Sequence, residues 1–272
     1  MSKHQADGKK VTTRRLIAMK QAGERIAMLT AYDYTMAKLV DASGIDMILV
    51  GDSAANVMAG HSTTLPITLD QMIYHGASVV RGVKRAMVVV DMPFGSYQTS
   101  PIEAVQSAVR IMKETGADAV KLEGGSAVYE AIKLIVQAGI PVVGHLGLTP
   151  QSVHQFGGYN LQAKEDAAAH KLLEEAETLE RLGCCALVLE KIPAVLGKQV
   201  ADRLEIPVIG IGAGVDVDGQ VLVLQDMLGL DEGFSPKFLR RFALLGEAVT
   251  SAISEYVDAV KDSTFPNQNE WY

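Results

Sequence analysis

The sequence predicts one (β/α)8 barrel with an extra helix at its N-terminal end. Three observations lead there. Short apolar runs, each ending in a polar or glycine-rich turn, alternate with longer helical patterns along almost the whole chain. About eight such runs occur, and 272 residues lies close to the roughly 250 typical of a closed barrel. Finally, a doubly wound open sheet wants a Gly-x-Gly-x-x-Gly turn after an early strand. The nearest approach, Gly210-Ile211-Gly212-Ala213-Gly214, comes late and lacks that spacing.

In chain order, residues 1–11 read as a loose tail and Thr12 to Ala22 as the extra helix closing the bottom of the barrel. Strands are expected at Ile26 to Thr30, Met47 to Val50, Ala86 to Val90, Ala119 to Leu122, Pro141 to Gly144, Ala186 to Leu189, Pro207 to Ile211 and Val221 to Leu224. Their unbroken apolar character implies burial on both faces, as in parallel sheets. The helices between them are punctuated clearly. Thr68 with Gln71 forms a capping-box pattern, and Ser100-Pro101-Ile102-Glu103 combines an N-cap, a first-turn proline and a capping-box glutamate. Gly116 supplies the stop; Gly44, Gly139 and Gly183 end other helices, and Ser235-Pro236 is expected to open the last one. No linker or low-complexity stretch divides the chain, so the barrel domain is expected over 12–262, with 263–272 as a C-terminal tail.

Composition narrows the function. A 48% hydrophobic content with 25 glycines and 9 prolines describes a compact globular protein. The excess of 32 acidic over 25 basic side chains, a net charge of −7, argues against a nucleic-acid backbone binder and favours small-molecule substrates. Without an apolar run of about 20 residues or an apolar segment near the start, no membrane partner and a cytoplasmic location are expected. The adjacent Cys184 and Cys185 suit neither an ordinary disulfide nor a zinc site, and read as small buried residues.

In a barrel, residues at the C-terminal ends of the strands face the active site. Here they are Tyr32 and Asp33, Asp52 and Ser53, Asp91, Lys121 and Glu123, His145, Glu190, and the turn Gly212 to Gly214. Singly, Asp52 or Asp91 could merely cap a helix. Together, Asp52, Asp91, Glu123 and Glu190 would converge on one mouth, where two like charges 4 Å apart repel by roughly 4 kcal/mol at an effective dielectric of 20. A divalent cation offsets that repulsion most directly, and an all-oxygen set points to magnesium or manganese before zinc.

Lys121 and Glu123 are two apart on one strand and share a face, where the lysine suits the charge of a carboxylate or a developing enolate, or else forms a structural pair with Glu123. His145 is expected to make a polar substrate contact, or simply to bond a neighbour. Glu190 closes a very apolar strand and is favoured as the general base over a further metal ligand. Long segments from Asp52 to Ile67 and from His145 to about Gln162 are expected to cover the site, and bring His61 and His154 into question as ligand contacts. Gly212-Ala213-Gly214 reads as a tight turn admitting close approach rather than a phosphate cradle.

Seven ordered segments carry a resemblance. They are Leu49-Val50-Gly51-Asp52-Ser53, Asp91-Met92-Pro93-Phe94, Val120-Lys121-Leu122-Glu123-Gly124-Gly125, Gly144-His145-Leu146-Gly147-Leu148-Thr149-Pro150-Gln151, Leu187-Val188-Leu189-Glu190, Gly210-Ile211-Gly212-Ala213-Gly214 and Asp218-Gly219-Gln220-Val221-Leu222-Val223. From about Thr12 to Phe242 the chain resembles the ketopantoate hydroxymethyltransferase family. The resemblance implies a barrel of the phosphoenolpyruvate/pyruvate type. It also implies transfer of a hydroxymethyl group from 5,10-methylenetetrahydrofolate to 3-methyl-2-oxobutanoate through a magnesium-stabilised enolate, giving 2-dehydropantoate and tetrahydrofolate, the first step of pantothenate synthesis. It implies Mg2+ at Asp52, Asp91 and Glu123, the last directly or through water. Substrate contacts fall to Asp52, Ser53, Asp91 and Lys121, with His145 added from the strand-end reading, proton removal to Glu190, and assembly to a cytosolic homodecamer. The segment Gly60-His61-Ser62-Thr63-Thr64 departs from the family pattern, which has an aromatic and an aspartate in place of His61 and Ser62. A metal-dependent lyase of the phosphoenolpyruvate mutase and isocitrate lyase group is the competing enzyme, and a catalytically silent barrel the competing non-enzyme.

Overall fold

The computed structural model describes residues 8–231 and 233–272. The chain up to Leu222 forms one compact unit and Val223–Tyr272 a second. In the first, eight parallel strands close on themselves in sequence order, β1 (Ile26–Thr30), β2 (Met47–Val50), β3 (Met87–Asp91), β4 (Ala119–Glu123), β5 (Val142–Gly147), β6 (Ala186–Glu190), β7 (Val208–Ile211) and β8 (Gly219–Leu222), with β8 pairing back onto β1. Helices α1 (Thr13–Gln21), α2 (Tyr34–Ala42), α3 (Ala54–Val57), α4 (Leu69–Gly82), α5 (Pro101–Thr115), α6 (Tyr129–Gln137), α7 (Val153–Phe156), α8 (Asp166–Arg181) and α9 (Ala194–Arg203) accompany them. The predicted barrel is therefore present. Its strands shift by a residue or more at several ends, so Asp91, Glu123 and Glu190 are the last residues of their strands, not the first beyond them, and His145 lies inside β5.

The extra helix forms where expected, with Thr12 accepting from the Arg15 amide as its cap, and Leu16 and Met19 fully buried. Each such burial contributes about 1.5–3 kcal/mol. The chain is anchored earlier than the expected tail allowed: Val11 is buried and donates to Arg85 O, and Lys10 donates to Ala86 O and pairs with Asp118. Residues 1–7 of that tail lie outside the described residues.

Alternation along the strands separates core from chemistry. The interior cluster that includes Leu16 and Met19 takes Met87 and Val89 from β3, Ala119 from β4, Val143 from β5, and Ala186 and Val188 from β6. Side chains two apart share a face. The same inward rows therefore continue upward as Asp91, as Lys121 and Glu123, as His145 and as Glu190. The interior is apolar at its N-terminal end and charged at the other because the period-2 rows change character there.

Two capping expectations separate on inspection. Thr68 and Gln71 form a complete capping box. At α5, Ser100 caps and Gly116 ends the helix in the left-handed conformation, but Glu103 accepts from the Thr99 hydroxyl instead of completing a box. The expected helix at Ser235-Pro236 is absent. In the second unit, α10 (Leu224–Met227) is followed by irregular chain whose Phe242 amide bonds Met227 O, and helix α11 (Leu245–Lys261) starts ten residues after Ser235. That pairing back to α10 takes up backbone groups a continuous helix would have used. Helix α11 buries no side chain, leaving Val249, Ile253 and Tyr256 exposed.

Candidate active site

Register builds the site. Asp91 stands beside Lys121 across β3 and β4, Glu123 beside His145 across β4 and β5, and Gly147 beside Glu190 across β5 and β6. Gly147 has φ +90°, and a Cβ there would lie 2.3 Å from Glu190 O, so a glycine is what lets β5 approach the end of β6. Asp52 follows β2 and donates its amide to Asp91 Oδ2 at 3.0 Å. Ser53 stands at the N-cap position before the short α3, and its hydroxyl lies 2.8 Å from that of the fully buried Tyr32. Asp33, by contrast, caps α2 through Met36 N.

The expected charged residues come together, and most are out of water. Asp52, Asp91, Lys121, Glu123 and His145 are buried, while Glu190 keeps 17% of its side-chain surface exposed. Lys121 Nζ lies 3.1 Å from Asp91 Oδ1, 3.7 Å from Glu123 Oε1 and 3.2 Å from His145 Nδ1. His145 continues the chain of contacts, with Nδ1 3.3 Å from Glu123 Oε1 and Nε2 3.5 Å from Glu190 Oε2. Burial would lower the Lys121 pKa, but Asp91, Glu123 and Asp52 together hold it above its ordinary value, so the ammonium stays charged. Burial and the nearby ammonium push His145 down, keeping its ring neutral. Burial, then Glu123 and Asp91, push the Asp52 carboxyl well up, against Lys121 and a hydrogen bond from Gln151.

The donors present fit a divalent cation. Among the described residues no three His, Cys, Asp or Glu side chains already stand as a ligand set. Yet Asp91 Oδ1 is buried with no hydrogen bond: Lys121 is near enough for an ion pair but outside hydrogen-bond geometry. An orphaned carboxylate oxygen among further acids is a hard-oxygen site, and magnesium needs one or two protein carboxylates because it keeps several waters.

Glu123 is pushed by burial from an ordinary 4.5 up to about 7, with Asp91 adding and Lys121 opposing. Between those values the folded carboxyl holds a proton that the unfolded chain releases. Its stabilising effect is therefore present at low pH and lost as pH rises through about 7. The metal-free protein is expected to melt at a higher temperature at pH 5.5 than at pH 8, and Glu123→Gln to reduce that difference. An equal pH dependence in both proteins would overturn the assignment.

Of the covering segments, the one after β5 is tied beside Glu190. Lys191, in the left-handed region at φ +49°, donates its ammonium to Tyr159 O and accepts from Gln162 N. The Tyr159 hydroxyl is pushed up by burial and then by Asp52 and Glu190. His61 and His154 are exposed. Gly214 admits close approach: a Cβ there would lie 2.5 Å from that of Ala194. Cys184 and Cys185 precede β6 at the opposite end of the barrel, both pushed up to about 12 by burial. Sequence reasoning passed over Gln151, Tyr97 and Tyr159, whose uncharged side chains carry no strand-end signal.

Residues 10–268 match the family model described as ketopantoate hydroxymethyltransferase. A 3-methyl-2-oxobutanoate hydroxymethyltransferase from Flavobacterium johnsoniae is 64% identical over 272 residues, covering 100% of both chains. One from Bacteroides fragilis is 66% identical over 266 residues, 98% of this chain and 97% of the relative. Among solved structures, phosphonopyruvate hydrolase in complex with oxalate and Mg++ aligns with TM-score 0.61 at 10% identity, over 95% of this chain and 93% of the other. A 2,3-dimethylmalate lyase of the phosphoenolpyruvate mutase/isocitrate lyase superfamily aligns with TM-score 0.59 at 16% identity, over 96% and 91%. At those identities the likeness concerns the fold.

Proposed function

The chain belongs to the ketopantoate hydroxymethyltransferase family and transfers a hydroxymethyl group to 3-methyl-2-oxobutanoate in pantothenate biosynthesis; we propose that 5,10-methylenetetrahydrofolate is the donor and Mg2+ the cofactor. With one water, the atoms balance as 2-dehydropantoate and tetrahydrofolate. The observation that carries this reading is the set of three buried carboxylates around a buried ammonium, with Glu190 at its open edge.

Asp52 and Asp91 would hold the ion, with Glu123 ligating directly or through water. Bound there, it would supply Lewis-acid attraction for the electron density of the 2-oxo group. Lys121 brings a fixed positive charge to the substrate carboxylate and to charge that develops when the C3 proton leaves. Ser53, held by Tyr32, offers a hydroxyl to the same substrate. Glu190 takes the C3 proton; the electron pair of that C–H bond then forms the new C–C bond to the folate methylene carbon, whose two C–N bonds break, the hydroxyl coming from water and the nitrogens leaving protonated as tetrahydrofolate. Neutral His145, its Nε2 3.5 Å from Glu190 Oε2, places a polar ring beside that carboxylate without neutralising it.

A homodecamer in the cytoplasm completes the proposal, supported by the family resemblance and by two free thiols that suit a reducing compartment. The direct assay is formation of 2-dehydropantoate from 3-methyl-2-oxobutanoate and methylenetetrahydrofolate. Product is expected only with a divalent cation present, magnesium sufficing. Undiminished turnover in excess chelator, or with the folate omitted, would sink the donor and cofactor assignments.

A further inference from the structure

We propose that Gln151 is a positioning residue that aims the acidic side chains at the cation, its amide oriented by Gln98 and Tyr97. This rests on the reading of Asp52, Asp91 and Glu123 as the cation-holding acids.

Gln151 is buried in the turn that follows β5, and every hydrogen-bonding position of its amide is used. Its Nε2 donates to Asp52 Oδ2 at 2.9 Å and to Met92 O at 3.0 Å. Its Oε1 accepts from the Tyr97 hydroxyl at 2.7 Å and from Gln98 Nε2 at 2.8 Å. The backbone amide of the same residue donates to Glu123 Oε2 at 2.9 Å. One uncharged residue therefore bridges the ends of β2, β3 and β4.

The partners dictate which way the amide faces. Met92 O can only accept, so the nitrogen must be on its side. The Tyr97 hydroxyl accepts from Glu123 N at 3.1 Å and has two acceptors in reach of its own proton, Gln151 Oε1 at 2.7 Å and Glu123 O at 3.3 Å, of which Gln151 is the nearer. Gln98 is itself fixed, because its Oε1 accepts from Gly95 N at 2.8 Å and leaves its Nε2 to donate. A flipped Gln151 would set its oxygen against a carbonyl and a carboxylate, and its nitrogen against another nitrogen. The amide thus occupies one orientation, and Asp52 receives a directed donor.

The consequence for the cation follows from what a neutral amide does. It fixes the rotation of the Asp52 carboxylate through Oδ2 without adding charge to a cluster whose balance already depends on Lys121. The Gln151 backbone fixes Glu123 through Oε2 in the same way. Outer partners of this kind typically contribute about 10–100-fold to metal affinity by orienting ligands before the ion arrives.

The test is calorimetric titration of the full-length protein with MgCl2, without substrate, alongside urea denaturation of each metal-free variant to confirm folding. Gln151→Met preserves length and removes the donor; its magnesium Kd is expected to rise about 10–100-fold. Gln98→Leu removes a group that reaches Asp52 through Gln151, and is expected to weaken binding in the same direction but less. In the double variant the Gln98 effect is expected to disappear, the signature of coupled residues. A merely structural Gln151 would lower the urea midpoint and leave Kd within twofold of wild type, which overturns the proposal. Equal Gln98 effects with and without Gln151 overturn it too, and Gln98→Leu with unchanged Kd decides against it even if Gln151→Met does not fold. Wild type showing no magnesium binding would instead refute the metal reading itself.

Discussion

Glu190→Gln is expected to slow deuterium uptake at C3 of 3-methyl-2-oxobutanoate by about 10²–10⁴-fold, the range a positioned general base contributes. The measurement is made by proton NMR with magnesium present and folate absent, which isolates proton removal from carbon transfer. Glutamine preserves the volume and a polar contact for His145 but has no carboxylate to accept the proton. Glu190 ends β6 opposite Gly147, whose missing Cβ lets the two strand ends close together, so the amide has little reason to relocate. Exchange continuing at the wild-type rate would remove Glu190 from the mechanism while leaving the metal reading intact.

Lys121→Met is expected to destabilise the metal-free protein by about 3–5 kcal/mol at pH 8, the cost of removing one partner from a buried ion pair. Lys121 has 3% of its side chain exposed and faces Asp91, Glu123 and Asp52, so its loss leaves three buried carboxyls without the ammonium. Those carboxyls can respond by retaining protons, and the cost should therefore shrink as pH falls toward 5. Urea denaturation at the two pH values checks both points. A midpoint unchanged at pH 8 would mean that the acids are hydrated well enough to need no buried cation, against the burial described above. Turnover should fall as well, because the charge developing at the substrate loses its fixed counterpart.

Much of the site was legible in the chain because a strand's two faces alternate locally. Once Ala119 is inside the barrel, Lys121 and Glu123 must follow, and Val188 carries Glu190 with it. The helix stops at Gly44, Gly116, Gly139 and Gly183 were equally local, since each depends on a backbone conformation with positive φ. Expectations failed where a different bond outcompeted the expected one, locally at the start of α5 and between distant residues in the second unit. Glu103 bonded Thr99 rather than closing a capping box, and the chain after Ser235-Pro236 paired back to α10 rather than continuing as a helix.

By itself, then, the sequence determined the barrel and the identity of the charges at its strand ends, because about eight apolar runs alternate with helical patterns over a barrel's length and each run ends in a polar turn. Tertiary structure alone decided how those charges are held. Gln151 meets Asp52 across 99 residues of sequence, Met92 across 59 and Tyr97 across 54. An uncharged amide announces no role in the sequence, because its function comes from partners that closure of the barrel brings within hydrogen-bonding distance.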